Sequence, residues 1–309
     1  MTENLEKLRS LIEDYNSSGS GHITLKTDEP MASHTSFRIG GEADLFLIPS
    51  GEASLVSLCS MISETGARAM FLGNGTNLLF SDDGFRGAVV SLTDLREISI
   101  SGRKIKVGAG SPLITVCKMA RDSSLAGLEF AYGIPGTVGG AVYMNAGAYG
   151  GQTSDVLVSS TYLDLDDLTV HTLLLPEHAF GYRESVYKHT NRVILSAEFE
   201  LKEGKEDEIT ALMNDIMGRR VAKQPLEWPS AGSVFKRCEG HFTGQMIEES
   251  GLKGFSVGGA QVSEKHAGFI INKGGATAKD VLDLVEHIKG VIRQNYGLDL
   301  ECEIISVGP

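Results

Sequence analysis

Glycine is spread unevenly along this 309-residue chain, and its placement limits the available folds more than any other feature. Of 37 glycines, eight fall between residues 127 and 151, in GLEFAYGIPGTVGGAVYMNAGAYGG. Glycine lacks a Cβ, reaches positive φ without strain and weakens regular elements, so the cluster favours tight turns and close backbone approach over a packed helix or strand. Pro135, between Gly133 and Gly136, fixes a rigid turn. Ile134, Val138 and Ala141 offer apolar contacts to a large flat ligand, although a βα corner accounts for the same residues. A shorter cluster, Gly73-Asn74-Gly75-Thr76-Asn77, follows the apolar run at 69–72. It is not a P-loop, because no Gly-Lys-Ser/Thr follows, and Leu78 stands where a dinucleotide fingerprint needs its third glycine. Two readings remain: a plain tight turn, or a nest of main-chain N–H groups around an anion, with Thr76 adding a hydroxyl and Asn77 an amide.

Composition removes several function classes. Net charge is −12 with no dense stretch of Lys or Arg, which argues against nucleic-acid and anionic-membrane partners. The opening MTENLEKLRSLIEDYN is charged and amphipathic, unlike a signal peptide, and no apolar run approaches the roughly 18 residues of a membrane span. A cytoplasmic location is expected. The cysteines at 59, 117, 238 and 302 form no C-x-x-C pair and fit reduced thiols. The eight histidines show no ligand spacing, so no metal site is expected.

Periodicity indicates an α+β chain. Leu5, Leu8, Leu11, Ile12 and Tyr15 share a helical face, as do Leu55, Leu58, Cys59 and Ile62, with Gly66 as the cap ending the second helix. KIKVGAGSPLITVCKMARD reads as strand, turn and helix. TYLDLDDLTVHTLLL and RVILSAEFEL alternate like strands. Ile209, Leu212, Met213 and Ile216 form a further helical stripe, stopped by Pro225. A long helix is expected over about 278–296, with Thr277 and Asp280 as its capping box and Gly297 as its end. The closing LECEIISVG alternates like a strand, placing Glu301 and Glu303 on one face.

Two more segments could carry chemistry. PSAGSVFKR presents Ser233 on a small-residue turn with Lys236 three positions on, without the G-x-S-x-G elbow of a hydrolase. FGYRESVYKH holds Tyr182, Arg183, Ser185 and Lys188, and Arg is suited to bidentate carboxylate binding.

Taken in order, HTSFRIGGEADLFLIP, LGNGTNLLFSDDGFRG, LEFAYGIPGTVGGAVYMNAGAYG, FGYRESVYK, PLEWPSAGSVFKR, GGAQVSEKHAGFIINKGGATAKDV and LECEIISVG resemble one family. It is the UDP-N-acetylenolpyruvoylglucosamine reductases, flavoenzymes of bacterial peptidoglycan precursor synthesis. The spacing resembles the shorter subclass that lacks an extra tyrosine-bearing loop. The resemblance implies an α+β architecture: an FAD-binding fold of the vanillyl-alcohol-oxidase/CO-dehydrogenase type in two α+β subdomains, plus a C-terminal α+β substrate domain. The expected boundaries are 1–32 for a helix and linker, 33–204 for the FAD domain, split near 94, and 205–309 for the substrate domain.

It further implies non-covalent FAD, with NADPH as hydride donor and a sugar nucleotide as substrate. FAD would be bound by Thr35, Ser36 and Arg38, by Gly73, Asn74, Gly75, Thr76 and Asn77, and by Gly133, Ile134, Pro135, Gly136 and Gly139. The substrate would meet Asn145, Tyr182, Tyr187, Lys188 and Lys236. The implied catalytic residues are Arg183, Ser233 and Glu303: hydride passes from flavin N5 to C3 of the enol ether, and Ser233 delivers a proton to C2. A monomer is expected, with no nucleic-acid or membrane partner. The chain departs from the family at Arg237-Cys238, where Asn-Pro is usual, at His34, where Asn is commoner, and at Cys302 and Ile305 in the usual E-P-E-V-R. Two alternatives stay open: another FAD oxidoreductase of the same fold, with His34 a conceivable covalent anchor, and a non-enzymatic sugar-nucleotide binder.

Overall fold

In the computed structural model, which describes residues 1–238 and 240–309, the first apolar stripe becomes helix Glu3–Ser18, burying Leu5, Leu8 and Ile12. The second becomes helix Glu52–Thr65, closed by Gly66 at φ +62°, whose N–H returns to the Ser63 carbonyl. Both share a core with Leu45, Leu47, Ala88 and Val90 of a four-stranded sheet, ordered Ile23–Pro30, Glu42–Pro49, Phe85–Ser91, Ala69–Leu72. The last two strands run parallel, Ala69 opposite Ala88 and Leu72 opposite Ser91.

The chain forms two compact units. One comprises Met1–Thr27, Asp44–Asn74 and Gly87–Gly218; the other comprises Asp28–Ala43, Gly75–Arg86 and Arg219–Pro309. The first also holds a five-stranded antiparallel sheet, ordered Val170–Leu174, Leu157–Asp164, Arg192–Glu200, Lys104–Gly108, Ile98–Ser101. Side chains alternate along a strand, so Arg192–Glu200 can feed two cores. Val193 and Leu195 join the helical core just described. Ile194, Ala197 and Phe199 join another, with Val116, Val142, Ile209 and Met213. Helix Glu206–Lys223 ends before Pro225 and buries Ile209, Met213 and Ile216. Leu212, at the margin of the stripe, is 45 % exposed, so the apolar face is narrower than its sequence suggests.

One glycine-rich stretch departs from expectation. Residues Val138–Tyr143 are helical despite Gly139 and Gly140, because Thr137 caps the turn and Val138, Ala141 and Val142 are buried.

In the second unit, helix Ala278–Tyr296 buries Val281, Leu284, Val285, Ile288 and Ile292. Thr277 and Asp280 form its capping box and Gly297, at φ +69°, closes it. The Asp82 carboxylate adds a second cap, accepting the N–H groups of Ala278 at 2.7 Å and Lys279 at 3.0 Å. The closing segment is not one continuous strand. Cys302 forms a bridge with Phe235, whereas Ile305–Val307 pairs in parallel with Leu78–Phe80. The chain changes partner between these pairings, so Glu303 and Ile304 lie in a bend. Among the described residues no helix is long and apolar enough to cross a membrane.

Candidate active site

Gly75 anchors the arrangement in the second unit. It is buried at φ +59°, and the direction in which a Cβ would project is filled by the His34 carbonyl. The Ser36 N–H donates to the Gly75 carbonyl at 3.3 Å, and the Ser36 hydroxyl donates to the Ser230 carbonyl at 2.6 Å. Thr35 donates to the Ile39 carbonyl at 3.2 Å. Asn272 donates to the carbonyls of Phe37 at 3.1 Å and Arg38 at 3.4 Å, fixing a loop in which Arg38 sits at φ +54°.

Asn77 joins this loop to the carboxyl-terminal bend. Its amide donates to the Glu303 carbonyl at 3.0 Å, and its own carbonyl accepts the Ile305 N–H at 2.9 Å. The Glu303 N–H donates to the Val234 carbonyl at 2.7 Å, which places the Glu303 backbone beside the residue following Ser233. The Ser233 side chain is half-buried, and its hydroxyl has no hydrogen-bond partner among the described residues. Lys236 is occupied differently: its Nζ reaches the Glu301 carboxylate at 2.9 Å and holds that group below the usual carboxylate range. At Arg237-Cys238 the Cys238 carbonyl accepts the His241 N–H at 3.2 Å.

The part of the 73–77 loop that lies in the second unit has the donor set of an anion cradle. The main-chain N–H groups of Gly75 and Thr76 donate to no carbonyl among the described residues. Consecutive unengaged donors, kept clear of side chains by glycine, fit the diphosphate of a dinucleotide.

In the first unit the two glycine clusters meet. A Cβ on Gly73 would collide with the Thr137 side chain. Just beyond Thr137, the N–H groups of Val138 and Gly139 donate to the carbonyls of Ser111 at 3.0 Å and Ala109 at 2.8 Å. A Cβ on Gly139 would lie 2.9 Å from the Ala109 Cβ. Gly133 and Gly136 adopt φ +84° and +151°, with Ile134 half-buried and Pro135 exposed between them.

Arg183 occupies the tip of a tight turn in the same unit. Gly181 and Glu184 bond each other's backbone at 3.2 and 3.3 Å on either side of it. Its guanidinium donates to the Gly147 carbonyl at 3.2 Å and lies over the Tyr182 ring, 5.0 Å from the centroid. Lys188 donates to the Arg183 carbonyl at 2.6 Å. Asn145 is buried and donates to the Gly181 carbonyl at 3.0 Å while accepting the Ser154 N–H at 3.0 Å. Tyr187 is also buried, its hydroxyl 2.6 Å from Ser160 Oγ, and burial pushes its phenol up to about 12. Arg38, Asn145 and Arg183 are three of the eight non-glycine residues at positive φ among those described. Such conformations persist only where surrounding bonds over-determine them.

Sequence reasoning did not single out Asn272, whose Oδ1 also accepts the N–H groups of Gly274 at 2.9 Å and Ala276 at 3.2 Å. A usable signal was present, because Asn just ahead of a Gly-Gly pair commonly folds back on its own backbone.

Residues 43–173 match a family described as FAD binding domain, and residues 224–307 match one described as UDP-N-acetylenolpyruvoylglucosamine reductase, C-terminal domain. Together these matches mark the chain as an FAD-dependent oxidoreductase. The chain is 42 % identical over 308 residues to the UDP-N-acetylenolpyruvoylglucosamine reductase of Clostridium perfringens (strain SM101 / Type A), spanning 100 % of this chain and 99 % of that protein. It is 44 % identical over 286 residues to the same enzyme of Limosilactobacillus fermentum, with 93 % and 95 % covered. The crystal structure of UDP-N-acetylenolpyruvylglucosamine reductase from Thermus caldophilus superposes with a TM-score of 0.78 at 32 % identity, covering 93 % of this chain and 99 % of that one. The chain belongs to the UDP-N-acetylenolpyruvoylglucosamine reductase family.

Proposed function

We propose that this chain reduces UDP-N-acetylenolpyruvoylglucosamine to UDP-N-acetylmuramate with NADPH as reductant, acting as a cytoplasmic monomer in peptidoglycan precursor synthesis. When bound, FAD supplies two-electron hydride chemistry between NADPH and the enol ether. The chain's own residues do the rest. The N–H groups of the 73–77 loop hold the cofactor diphosphate, while Thr35, Ser36 and Arg38 and the glycines at 133, 136 and 139 leave room for its flat part. Arg183 binds the enolpyruvyl carboxylate through its planar fork and stabilises the negative charge that hydride addition at C3 spreads over C2 and that carboxylate. Ser233 donates the proton to C2, a carbanion-like centre basic enough to take it from an alcohol. Glu303 acts beside Ser233. Tyr182, Lys188 and Lys236 contact the substrate, and Asn145 and Tyr187, both buried, support the turn that bears Arg183.

The observation that carries this reading is the run of bonds from Asn77 to the Glu303 carbonyl and from the Glu303 N–H to the Val234 carbonyl, which connects the anion-binding loop to the proposed proton donor. The test is an anaerobic half-reaction. NADPH should bleach the flavin of the purified protein, and the enolpyruvyl sugar nucleotide should restore its colour without oxygen. A reduced flavin that the sugar nucleotide leaves untouched would sink the proposal.

A further inference from the structure

Beneath the turn that carries Arg183 lies a buried polar chain of which only Tyr187 has entered the chemistry above. His178, Ser160 and Tyr187 are 0 %, 1 % and 2 % exposed. His178 Nδ1 lies 3.0 Å from the Leu174 carbonyl and 3.3 Å from that of Leu175. Carbonyls only accept, so Nδ1 carries the proton, and in the neutral ring Nε2 is an acceptor. Nε2 stands 2.6 Å from Ser160 Oγ, which donates to it and is left to accept the Tyr187 phenol, also at 2.6 Å. Every proton from Tyr187 through Ser160 and His178 to Leu174 is assigned by elimination.

The surroundings keep this chain neutral. Burial lowers the His178 imidazole from its ordinary value of 6.5. The ring stacks on Phe180 at 4.9 Å and meets Tyr187 edge-on at 5.9 Å, with Glu177 on its own turn the charged neighbour. Beyond Tyr187 stand Tyr162 and, over the Tyr162 ring, Arg192. Tyr187 belongs to the single helical turn Val186–His189. The residue after it, Lys188, holds the carbonyl of Arg183, and Ser185 donates to the Tyr143 carbonyl at 2.7 Å. Arg183, at φ +57°, depends on being held from outside.

We infer that His178 is a positioning residue: as the neutral acceptor ending this chain it fixes Tyr187, and through the turn bearing Lys188 it fixes the strained backbone of Arg183. The inference rests on the assignment of Arg183 to the substrate carboxylate. Protonating His178 turns Nε2 into a donor. Ser160 must then accept from it and donate to Tyr187, and the phenol proton loses its acceptor.

The experiment uses the full-length, FAD-loaded protein with His178→Gln, His178→Leu, Tyr187→Phe and, as control, Arg183→Lys. Hydrogen exchange of peptides covering 179–189 is measured beside turnover and flavin reduction by NADPH. In Tyr187→Phe and His178→Leu, exchange should rise and kcat/KM for the sugar nucleotide should fall, each by about tenfold, the scale of one lost hydrogen bond, with flavin reduction unchanged. His178→Gln, which accepts from Ser160 but does not titrate, should stay within about threefold of wild type and lose the acid-side decline in turnover, which in the wild type lies lower than an ordinary imidazole would put it. Unchanged exchange in Tyr187→Phe, or an acid limb persisting in His178→Gln, would overturn the inference. Normal turnover in Arg183→Lys would overturn the assignment of Arg183 instead, and the exchange data, independent of that assignment, tell the two failures apart.

Discussion

The Asn77 amide donates to the main-chain carbonyl of Glu303 at 3.0 Å, joining positions 226 residues apart. Replacing Asn77 with Ala removes that donor and leaves the carbonyl half-buried. The expected cost is about 1 kcal/mol, the usual net worth of such a bond. FAD should bind more weakly and turnover should fall, since one side chain serves both the loop and the bend. Equilibrium dialysis of FAD beside steady-state kinetics checks this; a loss confined to one of the two would separate those roles.

Ser233→Ala should leave flavin reduction by NADPH at the wild-type rate and remove reoxidation by the sugar nucleotide. If proton delivery limits that step, the loss is several kcal/mol, on the order of a thousandfold or more. Rapid mixing resolves the two half-reactions. An unimpaired second half-reaction would mean that another group supplies the proton.

Gly75→Ala introduces a Cβ at φ +59° directly against the His34 carbonyl. The backbone must shift, at a cost of roughly 1–3 kcal/mol, and the unengaged N–H groups of Gly75 and Thr76 lose their alignment. The variant should purify pale, and the ratio of flavin to protein absorbance measures the deficit.

Burial pushes the thiols of Cys59 and Cys117 up to about 12. Thiolate is the reactive form, so neither should react with a disulfide reagent in the folded protein near about pH 8. Labelling should fall on Cys238, and more slowly on Cys302, whose thiol burial also raises. Peptide mapping before and after denaturation settles the order.

His178 and His266 are both lowered from 6.5, chiefly by burial. Below that value the unfolded chain takes up protons that the folded chain refuses, so stability should fall as pH drops through about 6.5 and continue to fall until the folded sites titrate. Urea midpoints measured at about pH 7.5 and about pH 5 should differ, and His178→Gln should narrow the gap.

What the sequence disclosed was local. Thr277, Asp280 and Gly297 announce both ends of a helix because capping is decided within a few residues. The glycines at 73, 75, 133 and 136 mark where side chains are excluded. Their neighbours are not announced, because the His34 carbonyl that forbids a Cβ on Gly75 and the Thr137 side chain that forbids one on Gly73 come from distant segments. The second cap on helix Ala278–Tyr296 comes from Asp82, which no pattern near residue 278 could reveal. The bend at Glu303 was hidden for the same reason: alternation along LECEIISVG reports side-chain direction and is blind to a change of pairing partner between Cys302 and Ile305.

Strand Ile305–Val307 lies beside Leu78–Phe80, immediately after the glycine loop. During synthesis, therefore, Leu78–Phe80 leaves the ribosome without its partner strand, which follows more than two hundred residues later in the chain. Flavin capture should wait for that strand: nascent chains arrested short of residue 305 would stay colourless.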